Sequence, residues 1–293
     1  MTTLADIAPT KDEHGENFPV ASWVVTARHR PPILAFYKFV RTADDVADHP
    51  TLAESDKFRL LDQLESALLG NDDKEAAAGI QLRHALTERG LPPRHALDLL
   101  TAFRMDVTKR RYLDWDDLIH YCSYSAMPVG RFVLDVHGES RGTWPANDAL
   151  CAALQVINHL QDCRADYQKL DRVYIPLDAM QRAGTNVEAL AAEKSTPELL
   201  RCIRDVAGRT ELLVRDAEPF SAQINDLRLA LEVSVIQGVA RTLIRILQER
   251  DPLSERVHLG KSAFARVGLL AVCKGLMRRP GRRPAAEPMP QDR

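Results

Sequence analysis

Between Leu154 and Asp166 the chain sets four polar residues, Gln155, Asn158, Asp162 and Asp166, at spacings of 3, 4 and 4. Leu154, Val156, Ile157, Leu160 and Cys163 fill the positions around them. At 3.6 residues per turn these polar residues form one narrow stripe and the helix is apolar on most other sides. A helix apolar on nearly all sides has to be enclosed by other elements, so this segment is predicted to be a buried central helix. Two carboxylates in a buried stripe are costly to desolvate unless a cation meets them. The segment therefore points to a helical protein with a polar cavity beside its central helix.

A second stripe completes the idea. A helix is predicted from Pro31-Pro32, well placed in a first turn, to the closing His49-Pro50. Along it Ile33, Tyr37, Val40 and Asp44 share one face, with Asp48 one turn further and Arg41 beside them. Alone, the string Arg41-Thr42-Ala43-Asp44-Asp45-Val46-Ala47-Asp48 is more often a solvated helix end. Paired with the central stripe, Asp44 and Asp48 can face Asp162 and Asp166. Two such pairs suit Mg²⁺, which takes one or two carboxylates, keeps waters and completes its octahedron with substrate phosphates. We read a metal-diphosphate site.

The rest of the chain reads as helices. Leu60, Leu61, Leu64 and Leu68 mark one, stopped by Gly70-Asn71-Asp72, and Pro92-Pro93 start another through Leu97, Leu99, Leu100 and Phe103. Asp106 to Tyr112 reads as a basic break before a helix from about Asp114, which Pro128 kinks or breaks. Tyr121, Ala126, Val129 and Gly130 would then gather one hydroxyl and several small residues. Helices follow from about 187 to 249, with Val233, Ile236, Ala240, Leu243 and Leu247 as an apolar stripe. No useful strand alternation and no fixed-period repeat occurs. The expected class is all-α, one domain over 14–279, between a flexible start at 1–13 and a disordered tail at 280–293.

Several function classes drop out. A net charge of −2 over 293 residues carries no nucleic-acid signature. Five scattered cysteines without C-x-x-C argue for a reducing compartment. The polar N-terminus has no secretory pattern, and no apolar run reaches membrane-span length. A cytoplasmic location follows as an expectation. Gly260-Lys261-Ser262 resembles the end of a phosphate loop, but Glu255 stands where Gly is needed and no strand precedes it. Residues 261–293 hold eight Lys/Arg against Glu287 and Asp292, a net of +6, with Phe264, Leu269 and Leu270 interleaved. Such a segment can lie on an anionic membrane surface, so peripheral contact with the inner membrane is expected as well.

Taken together in order, ENFPVAS (16–22), RTADDVAD (41–48), DVTKRRY (106–112), YCSYSAMPVG (121–130), QVINHLQDCRAD (155–166) and RVYIP (172–176) resemble the squalene/phytoene synthase family over roughly 14–270. The detail is most like its bacterial hopanoid branch, the hydroxysqualene synthases. The resemblance implies an all-α isoprenoid-synthase bundle with a central cavity. It implies Mg²⁺ on Asp44, Asp48, Asp162 and Asp166. It places Arg41, Gln155 and Asn158 around the diphosphate or the metals, and Tyr121 close to the departing diphosphate. Phe18 matches a pocket aromatic and Arg256 a late diphosphate-binding arginine.

Two positions depart from the carotenoid-forming and reductive relatives: Gln161 where many have Arg, and Leu243 where some have Tyr. A glutamine cannot grip diphosphate as a bidentate arginine does, but it can donate to and accept from a water. The implied reaction is hydration of presqualene diphosphate to hydroxysqualene, with Gln161 beside Tyr121 in the catalytic set and no NADPH needed. The implied partners are the prenyl diphosphate, a related synthase and an oxidoreductase of the same pathway, and no nucleic acid. Alternatives are a squalene or phytoene/dehydrosqualene synthase that condenses two prenyl diphosphates, and a non-catalytic helical partner of such an enzyme.

Overall fold

The central stripe is borne by α7 (Trp144–Leu170), a 27-residue helix of about 40 Å at 1.5 Å per residue. The computed structural model describes residues 3–4, 26–71 and 76–277. Phe18, and the ends expected at 1–13 (except 3–4) and 280–293, lie outside them. Before α7 run α1 (Arg30–Ala47), α2 (Glu54–Leu69), α3 (Ala77–Thr87), α4 (Arg94–Thr108), α5 (Trp115–Ser125) and α6 (Met127–His137). After it come α8 (Leu177–Ala183), α9 (Pro197–Asp216), α10 (Phe220–Gln223), α11 (Leu227–Glu249) and α12 (Lys261–Met277). Among the described residues the only β pairing is an isolated bridge between Arg111 and Val173. The all-α expectation holds.

Local chemistry sets the ends. Pro31 and Pro32 sit in the first turn of α1. Gly70, at φ 94°, closes α2 in the left-handed region that a Cβ disfavours. Asp114, Thr196 and Asp226 cap α5, α9 and α11 by accepting the amides of Asp117, Leu199 and Leu229. Of the two outcomes expected at Pro128, the break occurs: α5 ends at Ser125 and α6 starts at Met127, with Ala126 between them and Pro128 in the first turn of α6. The expected basic break is also shorter than 106–112, because Asp106, Val107 and Thr108 continue α4.

Burial divides into two clusters. Phe36, Phe39, Leu60, Leu64, Leu82 and Leu100 centre one, built from α1 to α4. Val156, Ile157, Leu160, Ile203, Ala240 and Ile244 centre the other, built around α7, α9 and α11. Helix α6 joins them, giving Phe132 and Val136 to the first and Leu134 to the second. Residues four apart share a face and the residue between them points away, so one helix can seal both cores. α1 packs on α3 and α4, and α7 on α6, α9 and α11. The space between the acidic ends of α1 and α7 stays open.

Candidate active site

That space is a cavity of about 480 Å³ whose walls include Asp44 and Asp48 from α1 and Gln155, Asn158, Asp162 and Asp166 from α7. The two acidic stripes do face one another. Arg41 divides its guanidinium between Asp44 Oδ2 and Asp45 Oδ1, each at 2.9 Å. Asp45 is buried outside the cavity wall.

The carboxylates are under electrostatic load. Burial, and then the charge of Asp48, push Asp44 up to about 7 despite Arg41. Burial and Asp162 push Asp166 up to about 7 likewise. In each pair, then, one acid is strained by its neighbour because too few cations face them. All four offer hard oxygen donors and share one cavity wall with neutral amides. This donor set fits Mg²⁺, which favours carboxylate oxygens and keeps open positions for waters and phosphate.

Beneath the pairs lies a buried polar cluster. Arg172 Nη2 donates to Asp48 Oδ1 at 3.1 Å and to the Asp106 carbonyl at 2.9 Å, and its Nη1 donates to the Tyr174 hydroxyl at 3.2 Å. Tyr121 donates its hydroxyl to Asp106 Oδ2 at 2.9 Å. Burial holds Asp106 up at about 6, although Arg172 and the Tyr121 bond oppose the shift. The His159 ring stacks on Tyr174 with centroids 3.4 Å apart, and burial drives its pKa down to about 3. His159 is therefore a neutral imidazole at physiological pH.

The structure brings some of the expected site residues to one wall and sets others apart. Arg41, Asp44, Asp48, Tyr121, Gln155, Asn158, Asp162 and Asp166 all line the cavity. Arg256 is exposed and not on this wall, and Gln161 is turned to a neighbouring face where its Nε2 donates to the Val257 carbonyl. Arg172, Asp106, His159 and Tyr174 were not singled out. Arg172 and Tyr174 lie in the quoted stretch RVYIP, while Asp106 passed as the start of a basic break. His159 adjoins Asn158, but a histidine on an apolar helix gives little signal of its own.

A second cavity, about 320 Å³, is almost wholly apolar, with Phe36, Phe132, Leu150, Leu154, Val233 and Ile236 in its lining. Tyr37 and Val40 line both cavities, which therefore adjoin there. The expected grouping of Tyr121 and Ala126 with Val129 and Gly130 splits. Tyr121 faces the polar cavity, whereas Val129 and Gly130 line the apolar one. At the far end of α1, His29, His137 and Asp226 bring ligand-type atoms within 4.8 Å of one another. There Arg28 Nε donates to His29 Nε2 at 2.8 Å.

Comparison with known proteins agrees with this geometry. The squalene/phytoene synthase family model matches residues 11–263. The hydroxysqualene synthase of Rhodopseudomonas palustris is 56% identical over 99% of this chain and 100% of its own length. That of Zymomonas mobilis is 48% identical over 88% of this chain and 87% of its own. Among solved structures, a squalene synthase from Alicyclobacillus acidocaldarius superposes with a TM-score of 0.71 at 31% identity, covering 80% of this chain and 89% of that one. A dehydrosqualene synthase, at 19% identity and TM-score 0.76 over 89% of this chain and 92% of its own, shares the fold.

Proposed function

The chain belongs to the squalene/phytoene synthase family, and from that premise we propose that it converts presqualene diphosphate and water to hydroxysqualene and diphosphate, a carbon–oxygen lyase step of squalene and hopanoid synthesis. The observation that carries the reading is the junction of two cavities. One is acidic, with paired aspartates on two helices; the other is apolar; and Tyr37 and Val40 stand between them. An amphiphile with a diphosphate head and a hydrocarbon body fits such a pair. High identity to relatives named for hydroxysqualene narrows the product.

In this reading Asp44, Asp48, Asp162 and Asp166 hold Mg²⁺. When bound, the metal neutralises the charge that develops on the leaving diphosphate. Arg41 and the amides of Gln155 and Asn158 orient the head group. Tyr121 sits at its edge, with its hydroxyl held by Asp106. Arg172, itself buried, keeps Asp48 in place through an ion pair. The apolar cavity excludes bulk water from the carbocation, and the faces of Tyr37, Phe36 and Phe132 can stabilise it. Phe36 and Phe132 lie stacked with centroids 3.9 Å apart. The tertiary allylic alcohol so formed requires a reductive step next, which makes an oxidoreductase of the same pathway the natural partner.

The test is turnover of presqualene diphosphate with Mg²⁺ in ¹⁸O-labelled water, with and without NADPH. A labelled C30 alcohol formed at the same rate in both is expected. Squalene appearing only with NADPH would overturn the reading. Phytoene or dehydrosqualene from shorter diphosphates would instead make the chain a condensing enzyme.

A further inference from the structure

The proposed reaction needs one water, and only one, to reach a cation that the rest of the cavity protects. Beside the polar cavity lies a third one, of about 90 Å³. Asn158, Gln161 and His258 give it polar lining, and Val239, Leu243, Leu259 and Phe264 apolar lining. At about 30 Å³ each it has room for about three waters. Asn158 also lines the polar cavity, so the two cavities adjoin at that residue. His258 is exposed, so the other end reaches solvent.

The Gln161 amide is fixed for the task. Its Nε2 donates to the Val257 carbonyl, which leaves Oε1 turned away from that bond as an acceptor. An amide tied at one end by a backbone group cannot rotate freely, so the acceptor is preorganised. Asn158, three residues earlier on α7, stands on the inner side. The large apolar cavity, by contrast, has mainly hydrocarbon walls.

Resting on the proposed hydration, we propose that this alcove between α7, α11 and the segment before α12 is the binding site of the nucleophilic water. Gln161 Oε1 accepts one of its hydrogens and so aims an oxygen lone pair at the cation. The diphosphate leaves with the electron pair of the C–O bond. The water oxygen then supplies the pair for the new C–O bond at a ring carbon of the cyclopropylcarbinyl cation, while the adjoining ring C–C bond opens and its electron pair becomes the alkene bond to the cationic carbon. The surplus proton of the resulting oxonium passes through the remaining waters to solvent at the His258 end. One water and one cation give one alcohol and one proton, and no oxidant or reductant enters.

The alcove is tested by filling it and by plugging it. Val239→Phe places a ring in the space from α11, and His258→Trp covers the exposed mouth without touching the buried core. Each variant is given presqualene diphosphate and Mg²⁺ in ¹⁸O-labelled water. Released diphosphate and the C30 products are then measured separately. We expect diphosphate release to continue while the labelled alcohol falls about tenfold relative to olefins formed by proton loss, the scale of losing one hydrogen bond to the nucleophile. Leu243→Ala should admit methanol and yield a methyl ether that the wild type does not form. A merely structural role for the alcove would lower total turnover and leave the product ratio unchanged. An unchanged alcohol share in His258→Trp and in folded Val239→Phe overturns the proposal. If the wild type itself makes no labelled alcohol, it is the hydration reading that fails.

Discussion

At the scale of single residues the site is a balance of charges that no one residue settles. Asp44 and Asp166 are held near 7 by burial and by their own partners. Asp44→Ala or Asp166→Ala should therefore leave the far-ultraviolet circular dichroism intact and lower kcat/KM by at least about 100-fold, on the scale of losing one preorganised charge partner of the reacting group. Near-normal turnover of both variants at saturating Mg²⁺ would remove the metal assignment. Chelation of the wild type with EDTA should abolish turnover reversibly, without unfolding. Arg172 behaves differently, because it is buried against Asp48, Asp106 and Tyr174. Truncation to Ala strands those acids and should cost about 3–5 kcal/mol in urea unfolding. His159 carries a pH signature. Its folded pKa of about 3 lies below the ordinary 6.5, so the unfolded chain binds the extra proton. Its contribution is fully present above 6.5 and is lost as pH falls from there toward 3. His159→Phe should lose less stability than the wild type between pH 7 and 5, measured by urea midpoints side by side. Equal losses would show that the imidazole is not held neutral.

At the scale of elements the cavities depend on how closely helices approach. A Cβ on Gly130 would overlap Asn147 Oδ1 and stand 2.8 Å from Cys151 Sγ, so α6 can lie on α7 only because Gly130 has no side chain. Gly79 plays the same part between α3 and α2, where a Cβ would come within 2.8 Å of the Leu64 carbonyl. Gly130→Ala should cost about 1–3 kcal/mol in thermal or urea unfolding and should depress turnover further by narrowing the apolar cavity. Leu64→Ala, in the core of α1 to α4 and away from both cavities, should cost about 2–5 kcal/mol while the folded protein keeps its kcat. A loss of kcat in folded Leu64→Ala would mean that the first core sets the site more directly than its packing implies.

For the whole molecule the question is where a water-insoluble C30 alcohol goes. Among the described residues no helix is long and apolar enough to cross a membrane. α12 packs along α11, with Val267 and Ala271 close to Gly238, yet Leu269 and Leu270 remain 67% and 65% exposed. Exposed leucines on a helix at the start of a basic segment suit the surface of an anionic bilayer. Liposome flotation should show binding that rises with anionic lipid and weakens with salt. Leu269→Ser with Leu270→Ser should reduce that binding while turnover of detergent-dispersed substrate is kept. Binding that persists unchanged in the double variant would place the contact elsewhere.

By itself the sequence determined the helices and the acidic wall. Both follow from spacing along a single helix: Asp44 with Asp48, and Asp162 with Asp166, share faces whatever surrounds them. Proline and glycine punctuation placed the start of α1, the end of α2 and the start of α4 for the same local reason. Only the tertiary structure decided what stands behind that wall. Asp106, Arg172 and Tyr174 become one cluster because α4 and the segment after α7 meet through the Arg111–Val173 bridge, across more than sixty residues of chain. Tyr121 and Gly130 share one quoted motif yet face different cavities, because α5 ends before Pro128 and α6 starts a new axis. Gln161 meets Val257, 96 residues away, which no periodicity encodes. Residues on one helix are held together by the backbone itself, whereas residues on different helices meet only where packing puts them.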